Sequence, residues 1–282
     1  MEKARKLILV SRPISWVNTA YPFAAGYLVT GGSIDVMFIL ATLYFLGPYN
    51  LLMYGINDVF DYESDIRNPR KGGIEGMREQ RSLHPAIIRA VLYSNIPFIL
   101  ALLALGSVWS ALILIGVIFF VVAYSVAGLR FKERPVLDSI TSSLHFVGPL
   151  LFALSLTGFD VTAVPYVVAF FLWGMASHAL GAVQDINPDR QGGLSSIATF
   201  LGARVTVWFA VMCYAGAVAI LVVQGPGTYA LALAGLLYVG NCLPYLNITD
   251  SSSSAANAAW RRFIWLNFLS GAVVTITLIL TY

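Results

Sequence analysis

Charge is what this sequence has least of. Lys, Arg, Asp and Glu together make up 11% of the chain against 58% hydrophobic residues, and the mean hydropathy is +0.77. A soluble protein of 282 residues needs far more charge to cover its surface, so this composition argues against a cytosolic globular enzyme and against a free nucleic-acid-binding protein. Cysteine is scarce too. Cys213 and Cys242 lie in apolar stretches without CxxC spacing, which removes support for a disulfide scaffold or a thiolate metal site and leaves them as small buried hydrophobes. The sequence contains no P-loop, no Rossmann glycine turn and no nucleophile elbow. A cleaved leader is not expected either, because Arg12-Pro13 interrupts the short apolar run that follows the basic start. That start reads as an interfacial helix leading into the first span.

Long apolar runs are abundant. A helix needs about 20 apolar residues to cross the hydrocarbon core, and nine stretches qualify as candidates, near 14–31, 36–57, 86–107, 109–128, 139–158, 162–184, 204–223, 226–243 and 262–281. The expectation is an all-α, polytopic membrane protein, a nine-helix bundle forming one membrane-embedded domain over residues 1–282. Every Lys and Arg avoids the alternate turns near 32–35, 107–109, 159–162 and 224–228. By the positive-inside rule this puts the N-terminus and the basic loops in the cytoplasm and the C-terminus outside, in the cell membrane. Topology alone explains that pattern, so function has to be read from the acidic and polar residues.

Two acidic constellations stand at the predicted cytoplasmic face. The first is Asn57-Asp58-Val59-Phe60-Asp61-Tyr62-Glu63-Ser64-Asp65, directly after an apolar span. At about 100° per residue, Asp58, Asp61 and Asp65 fall within about 60° of arc, and Asn50 and Tyr54 continue the stripe toward the membrane. Like charges on one helical face repel unless a cation offsets them, and Mg²⁺ suits because it takes carboxylate and substrate phosphate oxygens together. The second runs from His178 through Gly181, Gln184 and Asp185 to Asp189 and Arg190. If that helix continues, His178, Asp185 and Asp189 share a face with Gly181, whose missing side chain leaves space, and Pro188 is the expected point of any bend. Carboxylates gathered near one interface with basic residues opposite them suit a charged head group better than an ion wire. On the residues alone, an enzyme acting on a charged, phosphate-bearing head group and a transporter of an anionic lipid or ion both stay open.

These motifs resemble those of the UbiA-type membrane prenyltransferases, which move a prenyl group from its diphosphate onto a lipophilic acceptor. The pattern Asn-Asp-x-x-Asp-x-x-x-Asp is kept in Asn57, Asp58, Asp61 and Asp65; the later motif keeps Asp185 and Asp189, while His178 and Gly181 replace a common aspartate and tyrosine. Within that family the chain is similar to the lycopene elongases of C50-carotenoid synthesis. The likeness rests on Ser11-Arg12-Pro13-Ile14-Ser15-Trp16, on Tyr54 through Gly73, on Leu129-Arg130-Phe131-Lys132-Glu133-Arg134-Pro135 and on Trp173 through Asp185. The resemblance implies transfer of dimethylallyl units to lycopene with Mg²⁺ as cofactor, membrane lipid as surroundings, and a carotenoid cyclase or other pathway enzyme as a candidate partner. A quinone precursor or another isoprenoid acceptor is the alternative in the same fold.

The roles expected of individual residues follow from that chemistry. Asp58, Asp61 and Asp65 would hold one Mg²⁺ and Asp185 with Asp189 another, with Asn57 as a neutral contact. Arg130 and Lys132 are expected to anchor the diphosphate, and Arg67, Arg70, Lys71 and Arg190 to assist. Tyr54 and Tyr62 would stabilise cationic character through their ring faces. His178 is the leading residue for proton handling or for meeting the acceptor's end.

Overall fold

The computed structural model describes residues 2–62 and 81–281. Among these residues every regular element is a helix, as the long apolar runs require, since a helix satisfies its backbone without water. The chain folds as two compact units: Met1–Phe131 with Leu144–Phe159, and Lys132–Ser143 with Asp160–Tyr282.

The first unit contains α1 (Glu2–Val10), α2 (Val17–Val29), α3 (Val36–Leu46), α4 (Pro48–Phe60), α5 (His84–Leu105) and α6 (Val108–Ser125), together with residues 144–157 of α7 (Leu137–Thr157). Its core is aromatic. Phe23, Phe45 and Phe152 pack with centroids 5.4–6.0 Å apart, and Tyr49 sets its ring edge-on to Phe45 at 5.2 Å. His145 packs here as well, its ring edge-on to Tyr124 at 5.0 Å.

The span expected near 36–57 is interrupted at Gly47-Pro48, where α3 ends and α4 begins. Proline has no N–H to continue the ladder, so nearby carbonyls need other donors. Asn50 supplies them. Its fully buried amide donates to Phe45 O at 2.8 Å, to Leu46 O at 3.1 Å and to Thr19 Oγ1 at 2.7 Å, and the Thr19 hydroxyl donates in turn to Phe45 O. Asn95 on α5 donates to Pro48 O at 2.9 Å from the other side. Asn50 therefore serves the helix junction, although its position continues the acidic stripe.

The second unit holds residues 137–143 of α7, then α8 (Val164–Val183), α9 (Ile186–Gly192), α10 (Ile197–Leu201), α11 (Ala203–Val223), α12 (Tyr229–Cys242) and α13 (Asn257–Thr281). Tyr214 stacks on Tyr238 at 5.3 Å, and Trp173, Phe263 and Trp260 continue the aromatic layer. Cys213 and Cys242 are buried in this core.

Seven stretches of the described residues are long and apolar enough to cross a membrane: Val36–Phe60, Arg81–Leu105, Val108–Ser125, Leu137–Thr157, Val161–Val183, Ala203–Val223 and Asp250–Thr281. The two further spans expected near 14–31 and 226–243 form helices as well, but α2 and α12 have only 13 and 14 residues. At about 1.5 Å per residue that is near 20 Å, so flanking 3₁₀ turns at Pro13–Ser15, Pro226–Thr228 and Leu243–Tyr245 complete these segments.

Candidate active site

The first acidic motif sits where α4 runs out. Its last two turns carry Tyr54, Asn57 and Asp58, and Asp61 caps the helix, its N–H donating to Asn57 O at 2.9 Å. The side-chain oxygen of Asn57 accepts from the Ser125 hydroxyl at the end of α6, at 3.0 Å. Asp58 is only 6% exposed. Its Oδ1 accepts from Arg12 Nη2 at 2.9 Å, while Oδ2 is buried with no hydrogen-bond partner among the described residues. Arg130 reaches the same motif, with Nη2 3.6 Å from Asp61 Oδ1.

Arg12 and Arg130 share an unusual backbone. Their φ angles are +51° and +39°, and Val136 is the one other non-glycine residue with positive φ among those described. Such a conformation costs of order 1–3 kcal/mol and persists where the surroundings over-determine it. Both strained arginines point at carboxylates of one motif. The sequence marked Arg130 as a diphosphate anchor and not as a neighbour of Asp61, and it did not mark the contact of Arg12 with Asp58. Pro13 did not signal it, since a following proline favours extended backbone and Arg12 is left-handed instead.

The ring faces expected to steady a cation are turned to guanidinium groups. The Arg12 guanidinium carbon lies 4.2 Å over the Tyr54 ring and that of Arg81 5.4 Å over Tyr62, which also meets the His84 ring edge-on at 5.1 Å. Asp65, Arg67 and Lys71, like Arg70, lie outside the described residues. Among the described residues no three His, Cys, Asp or Glu side chains gather closely enough to hold a metal ion by themselves.

The second motif lies in the second unit, and its helix does not run on through it. Helix α8 ends at Val183, and α9 restarts at Ile186 after a turn at Gln184-Asp185. The break precedes Pro188 because that residue would need the Gln184 carbonyl four residues back, which its ring blocks and its missing N–H cannot bond. Pro188 itself is at home in the first turn of α9. Asp185 caps α9 without a side-chain capping bond, and Asp189 lies in the first turn; both are half-buried. Gln184 is buried, donating to Gly181 O at 3.0 Å and accepting from Asn257 at 2.6 Å. Arg190 is held by Asp250 at 2.6 Å and Thr199 O at 3.0 Å, a brace between α9 and its neighbours. Lys132 occupies the half-buried 3₁₀ turn Phe131–Glu133.

The space expected beside Gly181 is filled. A Cβ there would come 2.9 Å from Cζ3 of Trp260, so the missing side chain admits an indole ring rather than a ligand. His178, three residues earlier, has Nε2 3.4 Å from Oδ2 of Asp138, a fully buried carboxylate near the start of α7. Asp138 did not stand out in the sequence, where one acid before an apolar run reads as an ordinary helix start.

This arrangement of helices and acidic helix ends is that of a membrane prenyltransferase. Residues 19–267 match the UbiA prenyltransferase family, and the chain belongs to it. It is 49% identical, over 99% of its own length and 98% of the relative's, to the lycopene elongase/hydratase of Corynebacterium glutamicum. It is also 48% identical over 94% of its length to a C(50) β-cyclic carotenoid biosynthesis protein of Dietzia sp., covering 62% of that protein. Its fold matches a UbiA homologue of Archaeoglobus fulgidus solved with DMAPP and Mg²⁺, with a TM-score of 0.64 and 21% identity over 95% of this chain and 99% of that one.

Proposed function

We propose that this chain is a lycopene elongase, transferring dimethylallyl groups from their diphosphate to the ends of lycopene to give C45 and C50 carotenoids, with or without hydration. The observation that carries this reading is the 49% identity along 99% of the chain to a lycopene elongase/hydratase. The whole chain, 1–282, serves as one catalytic domain in the cell membrane, with its basic loops and both acidic motifs on the cytoplasmic side and its C-terminus outside. Membrane lipid surrounds it, and a cyclase or another enzyme acting on the product is the proposed partner.

The residues fit Mg²⁺. The donor set is all oxygen, and the buried Oδ2 of Asp58, without a hydrogen-bond partner among the described residues, is a carboxylate oxygen that suits a cation. Asp58, Asp61 and Asp65 in the first motif would hold one Mg²⁺ and Asp185 with Asp189 in the second another, with Asn57 as a neutral contact. When bound, Mg²⁺ offsets charge on the diphosphate as the carbon–oxygen bond breaks. The chain's own groups do the rest. Arg130 and Lys132 bind diphosphate oxygens, with Arg67 and Lys71 assisting. The ring faces of Tyr54 and Tyr62 steady the Arg12 and Arg81 guanidinium groups rather than the substrate, and apolar helices keep water from the allylic cation. His178 takes the proton that the reaction must release.

The test is product analysis by liquid chromatography and mass spectrometry, using membranes containing the protein with lycopene, dimethylallyl diphosphate and Mg²⁺. New C45 or C50 carotenoids that vanish without metal and in Asp58→Asn are the expected result. Unchanged lycopene in folded protein would reject this acceptor, and quinone precursors would then be compared.

A further inference from the structure

Asp138 is 0% exposed, and a buried carboxylate is costly unless its charge is met. Three groups meet it. Oδ1 accepts from the Ser139 N–H at 2.7 Å, Oδ2 accepts from the Ile197 N–H at 2.6 Å, and His178 Nε2 stands 3.4 Å from Oδ2. One of these contacts also caps α10: its capping box, in which Ser196 Oγ accepts from Thr199 N–H at 3.2 Å and Thr199 Oγ1 from Ser196 N–H at 2.7 Å, leaves the first-turn N–H of Ile197 to Asp138 Oδ2. The start of α7 is pressed against α8 at this level. A Cβ on Gly174 would overlap Ser143 Oγ, and that hydroxyl donates to Phe171 O at 2.7 Å. The carboxylate is thereby fixed by backbone while the imidazole, 17% exposed, retains access to its surroundings.

We propose that Asp138 is a positioning residue for His178, orienting the imidazole as the proton acceptor of the prenyl-transfer reaction. Nε2 lies within ion-pair reach of the carboxylate without a hydrogen bond to it, so the carboxylate's charge is in place to meet the imidazole when the ring takes up a proton. This inference rests on the transfer reading above. A terminal double bond of the acceptor supplies the pair that joins the allylic carbon as the C–O bond breaks and its pair leaves with diphosphate. The tertiary cation left on the acceptor is discharged in one of two ways. An adjacent C–H proton is lost and its pair closes a new double bond, or water oxygen adds and one O–H proton is lost. Either way one proton passes to the imidazole of His178 and then to solvent. The sequence-level departure from aspartate at position 178 thus acquires a partner that only the fold brings near.

The experiment compares wild type, Asp138→Asn, Asp138→Glu, His178→Gln and the double variant Asp138→Asn/His178→Gln in membranes, reading kcat, KM for donor and for lycopene, and the carotenoids formed. The expected loss in kcat is about 10–100-fold for Asp138→Asn, the usual effect of losing the partner that orients a functional histidine. For His178→Gln it is about 10²–10⁴-fold. Both KM values stay within about twofold, the double variant is no slower than His178→Gln, and Asp138→Glu recovers part of the lost rate. Full turnover in His178→Gln, additive losses in the double variant, or an Asp138→Asn effect confined to KM would overturn the pairing. If Asp138→Asn fails to fold, His178→Gln and Asp138→Glu decide alone: full turnover in the first, or a rate in the second as low as in His178→Gln, overturns it. Absence of product from wild type would instead reject lycopene as acceptor, a result separable from any of these.

Discussion

Arg12 Nη2 lies 2.9 Å from Asp58 Oδ1, joining a residue before the second helix to the acidic end of the fourth. The same guanidinium covers the Tyr54 ring at 4.2 Å, so a strained arginine is held by a carboxylate on one side and an aromatic face on the other. Cation–π contact adds about 0.5–2 kcal/mol to such a pair. Arg12 therefore holds Asp58 by its Oδ1, while Oδ2 has no hydrogen-bond partner among the described residues.

Replacing Arg12 tests that arrangement. Arg12→Ala is expected to lower kcat/KM for the prenyl diphosphate by about 10–100-fold, as losses of groups that orient a metal ligand do. Arg12→Lys recovers little, because an ammonium cannot form the planar contact on Tyr54 and reach Asp58 in the same geometry. Steady-state rates with Mg²⁺ varied distinguish this from a folding defect: the apparent Mg²⁺ requirement rises while the quantity of folded protein does not change.

Asp58 itself is expected to be less forgiving. Asp58→Asn keeps the shape and removes the charge, and the predicted fall in turnover is about 10²–10³-fold, the size seen when a fixed group aimed at developing charge is lost. Chelation of divalent metal abolishes wild-type turnover, and added Mg²⁺ restores it. Persistence of activity through chelation would contradict the assignment of these carboxylates.

Asn50 governs stability rather than chemistry. Its amide closes the gap at Gly47-Pro48 by serving two carbonyls and the Thr19 hydroxyl. Asn50→Leu strands those acceptors in an apolar core and is expected to cost about 1–3 kcal/mol. Thermal unfolding in detergent or lipid reads the loss, and the folded fraction should retain the wild-type Mg²⁺ requirement.

The long apolar runs made the helical class legible, and the spacing of Asp58 and Asp61 placed the first motif at a helix end before any fold was known. Asn50 was misleading because one helical stripe carries both junction and site residues; only the contact with Phe45 and Leu46 carbonyls separates them. Arg12, Asp138 and Trp260 were illegible for a different reason. Each acts on a partner far along the chain, at separations of 46, 40 and 79 residues, which periodicity does not encode. Gly181 shows the same limit from the other side, since a missing side chain reads as vacant space until the residue that fills it is known.

That last pair yields a test of its own. A Cβ at Gly181 would stand 2.9 Å from Trp260 Cζ3 and 3.1 Å from Cε3, closer than carbon atoms tolerate, and the indole is stacked on Phe263 at 5.0 Å behind it. The ring therefore has little room to retreat, and Gly181→Ala is expected to destabilise by about 1–3 kcal/mol through overpacking. Trp260→Leu creates a cavity and destabilises on its own. Combined, the two changes offset one another, because the added methyl enters the space that the indole vacates; the double variant should be more stable than the sum of the single effects allows, by at least about 0.5 kcal/mol. Thermal unfolding of the four proteins checks the cycle. Simple additivity would mean that α8 shifts to accommodate the methyl, and that the glycine at this position is kept for a reason other than Trp260.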